Sequence, residues 1–182
     1  MQPLGYMYKR VELRPEWLAA QQVHDVYSLS GCISEDFADY VPFWKHNGFW
    51  LYDSRSTLEQ IAGENGISLE GMTLFYYEAY EREYDREKKA WVPFEPEASI
   101  GTDIQIPTAK HLEGYDITTF SAHTSPECSP LSCNSCATTV HTNDHCLLES
   151  FEEAKDVLES NRLGPCEPGP YRIIAVYTVD DA

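Results

Sequence analysis

Short stretches in which apolar and polar residues alternate are separated along this chain by breaks rich in Gly, Pro and Asn. That pattern predicts strands that bury one face, joined by tight turns. Residues 6–13 (YMYKRVEL) and 23–29 (VHDVYSL) read as strands, with PEWLAAQQ between them as a short helix carrying Pro in its first turn. SEDFADY reads as a helical turn with acids at its start. Asn47-Gly48 predicts a hairpin that sets Phe43–His46 opposite Phe49–Tyr52. Ser56-Thr57-Leu58-Glu59 has capping-box spacing, and the helix it opens should end before Gly66. The long aromatic stretch 73–85 predicts a strand, 86–89 a turn and 90–94 the return, with weaker strands at 102–106 and 115–121. Ser150-Phe151-Glu152-Glu153 repeats the capping box and opens a helix to about Glu159. Residues 171–179 (YRIIAVYTV) are apolar on both faces, as a central strand should be. The expectation is a single α+β domain over 1–182, a mostly antiparallel sheet with three or four short helices. No glycine-rich phosphate loop follows any strand.

Charge narrows the function classes. The chain has 182 residues, with 30 Asp+Glu against 13 Lys+Arg and a net charge of −17. Nucleic-acid affinity comes from neutralising phosphates with Lys and Arg, so no nucleic-acid partner is expected, nor docking on anionic lipid. No apolar run approaches the roughly 20 residues that span a bilayer, and MQPLGYMYKR lacks a leader's apolar stretch. A cytoplasmic protein without membrane contact is therefore expected. Strong negative charge favours a basic protein partner, as for an immunity-like protein or an adaptor. The run Glu78, Glu81, Glu83, Asp85, Glu87 would supply acids, and Tyr76, Tyr80, Tyr84 and Trp91 aromatic anchors. The same residues could instead be a paired hairpin and sheet core.

The chain carries six cysteines, at 32, 128, 133, 136, 146 and 166. Cys32 and Cys166, remote from the others, read as small buried hydrophobes. Cys133, Cys136, His141 and Cys146 have the spacing C-x2-C-x4-H-x4-C, and three thiolates with one imidazole can close a tetrahedral zinc shell. This 14-residue stretch resembles the retroviral-type zinc knuckle, which implies a structural zinc on those ligands. CNSCATTVHTNDHC lacks the glycines, aromatic and basic residues of such knuckles, so the resemblance carries no nucleic-acid binding. Cys128 and His145 are further ligand candidates. A second chemistry makes the segment a small thiol-dependent enzyme, with Cys133 as nucleophile and His145 as base, oriented by Asp144 or Asn134, and with His141 and His123 nearby. A third reading is a buried loop of reduced thiols. His46 at the Asn-Gly turn is a structural residue or a ligand-binding one, Asp53 caps the following helix, and His24 sits in the core.

Overall fold

The computed structural model describes residues 1–41, 46–94, 102–119 and 128–180. The expected α+β architecture is present: an antiparallel sheet with three helices against it. The strands are β1 (Gln2–Arg10), β2 (Glu12–Leu13), β3 (Asp25–Val26), β4 (Glu35–Asp36), β5 (Thr73–Ala79), β6 (Arg82–Asp85), β7 (Ala90–Pro93), β8 (His111–Thr119) and β9 (Tyr171–Thr178). The helices are α1 (Arg55–Asn65), α2 (Pro130–Cys133) and α3 (Phe151–Glu159).

β9 is central, as its two-faced apolar pattern predicts. β5 and then β6 pair along one edge of it and β8 along the other. β1 continues the sheet beyond β5, β4 beyond β1, and β7 beyond β6. Alternate β9 residues feed two cores. Ile174 and Val176 join Leu4, Phe37, Leu58 and Phe75, while Tyr171 and Ile173 join Ile117, Leu131, Val157 and Leu158.

Both long helices start at a serine whose side chain accepts a free backbone N–H, Ser54 from Thr57 and Ser150 from Glu153. The first cap lies two residues before the predicted Ser56. Gly66 ends α1 in the left-handed conformation. At Gly114, φ is +149° and a Cβ would lie 2.8 Å from both the Leu147 Cβ and the Leu148 carbonyl. Glycine there lets the 143–148 loop press onto β8, where Leu148 bridges to Tyr115.

Several expected elements are shorter or absent. PEWLAAQQ forms turns, closed by the Leu18 N–H on Pro15 O and the Val23 N–H on Ala20 O. Only Asp25–Val26 of 23–29 is strand, because the neighbouring amides of His24 and Tyr27 bond the carbonyls of Asp144 and His145. SEDFADY yields β4 and a 3-10 turn at Phe37–Tyr40. Among the described residues the Asn47-Gly48 turn has no ladder. The Asn47 side chain collects the amides of Phe49 and Leu51, and Tyr52 bridges to Tyr6 in β1. Residues 43–45 of the expected hairpin lie outside the described residues. Residues 102–106 are irregular, tied to Asp53 through the amides of Asp103 and Gln105. Asp53 thus holds this segment and leaves the cap of α1 to Ser54.

The aromatic stretch 73–94 belongs to the core. Tyr76 and Tyr84 are buried, and Tyr80 and Tyr84 pack on Trp91 with ring centres 5.4 and 5.2 Å apart. Three of its five acids have internal partners: Glu78 with Lys110 at 2.6 Å, Glu83 with Arg172 at 2.5 Å, Asp85 with Lys88 at 2.7 Å. This run is largely a paired hairpin whose tyrosines pack into the sheet. Among the described residues no helix is long and apolar enough to cross a membrane.

Candidate metal centre

The site rests on two buried charged side chains, one under each loop that supplies sulfur. Lys9 of β1 is 2% exposed. Its ammonium donates to the carbonyls of Ser28 (2.8 Å), Leu29 (3.0 Å) and Ser30 (3.3 Å) and to Ser34 Oγ (3.1 Å), and pairs with Asp36 at 3.2 Å. A buried cation must be surrounded by acceptors, so the chain from Ser28 to Asp36 wraps around it. Cys32 lies at the outer bend of that wrap.

Asp116 of β8 is fully buried. One carboxylate oxygen accepts from Ser28 Oγ (2.8 Å) and the Leu29 amide (3.1 Å). The other accepts from Ser129 Oγ (2.5 Å) and the Ile117 amide (2.8 Å). Burial raises the Asp116 carboxyl, and these hydrogen bonds oppose the rise. One carboxylate therefore clamps the Cys32 loop, through Ser28, to the segment carrying Cys128 and Cys133, through Ser129.

The sulfurs of Cys32, Cys128 and Cys133 lie within 4.8 Å of one another, the only such group of three His, Cys, Asp or Glu ligand atoms among the described residues. Cys128 follows β8 in space, its carbonyl accepting from the Thr119 amide at 2.9 Å. Cys133 ends α2, whose Pro130 suits a first helical turn. The three sulfurs share protons. The Cys32 thiol hydrogen-bonds the Cys133 sulfur, which lowers Cys133 and raises Cys32. Ser30 Oγ sits 3.7 Å from the Cys133 sulfur. Burial pushes Cys128 up to about 11. Of the three sulfurs, Cys133 is thus the one on which negative charge is favoured.

Zinc–thiolate bonds of ~2.3 Å at a tetrahedral angle place sulfurs ~3.8 Å apart. The observed cluster fits that spacing with small side-chain movement. The donor set is all sulfur and suits a thiophilic ion.

The ligands expected from the knuckle spacing are dispersed. Of Cys133, Cys136, His141 and Cys146, only Cys133 belongs to the sulfur cluster. Cys136 is buried with its thiol on Leu163 O at 3.3 Å, His141 is exposed, and Cys146 is buried in the core. Spacing along the chain does not bring them together, because Cys136, in the 3-10 turn Cys136–Thr138, and Cys146 pack into the core around α3 while His141 faces solvent. His145 is engaged elsewhere. Its Nδ1 lies 2.6 Å from Asp25 and its ring stacks on Tyr27 at 4.0 Å, with Glu113 and Asp144 facing Nε2 at 4.0 and 3.7 Å. Among the described residues no imidazole hydrogen-bonds the Cys133 sulfur, so the expected Cys133–His145 pair is not assembled. His123 lies outside the described residues.

Cys32 is exposed and Cys166 half-buried, against the expectation of two inert core thiols. His24 is also exposed, beside Asp25 at 3.3 Å. His46 is buried between Trp50 and Tyr52, with no hydrogen-bond partner for either ring nitrogen among the described residues, and burial lowers its pKa. No protein-family model matches the chain, and no curated protein or solved structure matches it.

Proposed function

We propose that this protein binds a thiophilic metal ion, zinc(II) foremost, on Cys32, Cys128 and Cys133. The observation that carries the reading is the convergence of three sulfurs from two loops clamped by the same buried carboxylate. Metal ligands held by outer-shell hydrogen bonds are the usual construction of such sites. Nucleophilic catalysis would need a base at the thiol, and the described neighbours of Cys133 are thiols and hydroxyls.

The test is metal binding by the protein and its single Cys→Ser variants, read by zinc stoichiometry and by the sulfur-to-metal charge-transfer band of the cobalt(II) form. About one ion per chain is expected, lost or strongly weakened in Cys32→Ser, Cys128→Ser and Cys133→Ser and kept in Cys146→Ser. Loss in Cys136→Ser, His141→Ala and Cys146→Ser, with Cys32→Ser unaffected, would instead establish the knuckle ligands. Absence of binding in every form removes the metal reading.

A second reading, binding of a basic protein in the cytoplasm, draws on one surface feature. Leu13 and Trp17 are 68% and 55% exposed, flanked by exposed Glu12 and Glu16, in a chain of net charge −17. Exposed apolar residues next to exposed acids suit a lysine-rich segment with aliphatic stems. A lysine-rich peptide should bind in a salt-dependent way and more weakly to Trp17→Ala. Equal binding of an uncharged peptide of the same length excludes it.

A further inference from the structure

Cys136 and Cys166 stand apart from the sulfur cluster and form a second thiol pair. The Cys136 thiol is buried, donates to Leu163 O at 3.3 Å and is hydrogen-bonded to Cys166. Cys166 lines a cleft of 610 Å³ together with Glu83, Asp85, Arg86 and the loop 168–170. Arg86 is fixed there. Its Nε donates to Asn161 Oδ1 at 2.9 Å, one terminal nitrogen donates to Gly164 O, and the other lies 3.3 Å from the Tyr171 hydroxyl and 3.7 Å from the Cys166 sulfur. The Tyr171 hydroxyl is 3.2 Å from the same sulfur. A guanidinium, a phenol and a second thiol thus converge on one half-exposed sulfur.

We propose that Cys166 and Cys136 are a redox pair that reduces a small hydroperoxide entering this cleft, Cys166 attacking and Cys136 resolving. The thiolate is the nucleophilic form of cysteine, and the fixed Arg86 guanidinium lies 3.7 Å from the Cys166 sulfur, at the mouth of the cleft a hydroperoxide would enter. In the first step the Cys166 thiolate attacks the terminal oxygen of ROOH. An S–O bond forms, the O–O bond breaks, and RO⁻ leaves as ROH after taking a proton, so Cys166 becomes a sulfenic acid. In the second step the Cys136 sulfur attacks Cys166. The S–S bond forms, the S–O bond breaks, and hydroxide leaves with the Cys136 proton as water. Two thiols and one hydroperoxide give one disulfide, one alcohol and one water. Glu83, Asp85 and Glu87 on the cleft wall disfavour anionic oxidants such as a glutathione disulfide. Burial raises the Cys136 thiol to about 11, which suits a group that reacts second.

The experiment treats zinc-supplemented full-length protein with about one equivalent of hydrogen peroxide, blocks remaining thiols by alkylation and maps the peptides. A Cys136–Cys166 cross-linked peptide is expected. Cys136→Ser should leave a sulfenic acid at Cys166 that dimedone traps, and Cys166→Ser should leave Cys136 reduced. Arg86→Gln should slow disulfide formation by roughly tenfold through loss of a charge-assisted hydrogen bond. If Arg86→Gln does not fold, Cys166 alkylation in the native protein is compared with that in the urea-unfolded chain. A faster native rate supports the pair and a slower one overturns it. Cross-links confined to Cys32, Cys128 and Cys133, or oxidation at the same rate in a folded Arg86→Gln, likewise overturn it.

Discussion

The two sulfur neighbourhoods are built on opposite principles. At Cys32, Cys128 and Cys133 the charged groups lie beneath the loops and touch backbone: Lys9 holds three carbonyls and Asp116 holds two amides and two serines. At Cys136 and Cys166 the charged group, Arg86, touches the sulfur itself. In the first case buried charge fixes geometry and leaves the sulfurs to interact with one another, which suits ligation of an ion they share. In the second, charge acts on one sulfur and sets it apart from its neighbour, which suits an asymmetric pair with one attacking member.

The largest expected effect that separates the two is Lys9→Met. It strands Asp36 and three carbonyls in the interior, and breaking such a buried pair costs about 3–5 kcal/mol. Urea unfolding should show that loss, and zinc binding should fall with it, while Cys136–Cys166 cross-linking persists in whatever fraction remains folded. Cross-linking lost in the folded fraction would mean that the two neighbourhoods are one cooperative unit.

Asp116→Asn follows, at about 1–3 kcal/mol near neutral pH, because an amide nitrogen cannot accept from the donors that face it. It also carries a pH signature. The folded-state value is raised above the ordinary 3.8, so the stability this group contributes is complete below 3.8 and is lost as pH rises through its folded value. The wild type should thus gain on the Asn variant as pH is lowered toward 4 in thermal melts, whereas a constant difference across pH would contradict a carboxyl that titrates in place.

Tyr171→Phe acts on the other neighbourhood. It removes a hydroxyl that hydrogen-bonds Cys166 and donates to Glu167 O, at about 0.5–1.5 kcal/mol. Cys166 alkylation should change while zinc stoichiometry does not.

His46 provides the smallest effect and a control distant from the proposed chemistry. Its folded value is depressed below 6.5, so the stability it contributes is complete above 6.5 and is lost as pH falls through the folded value. His46→Phe should flatten the acid side of the stability profile and leave both sulfur neighbourhoods unchanged.

Elements governed by local pattern were legible in the sequence. β9 announces its central position by being apolar on both faces, and α3 announces its start by Ser150 and Glu153. The turn between β6 and β7 falls where 86–89 predicts it. The sulfur cluster was not legible, because its parts come from distant segments: Ser30 and Cys133 are 103 positions apart. The cysteine spacing from 133 to 146 is local and groups residues that the fold disperses, with only Cys133 in the sulfur cluster. A better signal lay in the serines, since Ser28 and Ser30 precede Cys32 as Ser129 and Ser132 flank the Cys128–Cys133 segment. The failed helix at 15–22 has a similar cause, because apolar burial of Leu18, Ala20 and Val23 and the tertiary bond from the His24 amide outweigh a favourable local helical propensity.

The order of the strands also constrains synthesis. β5, β6 and β8 all dock on β9, which is translated after them. On the ribosome those strands emerge with open edges and nothing central to join, a condition that invites pairing with other nascent chains. The two half-cores can unite only once residues 171–178 are available, so β9 serves as the keystone of both.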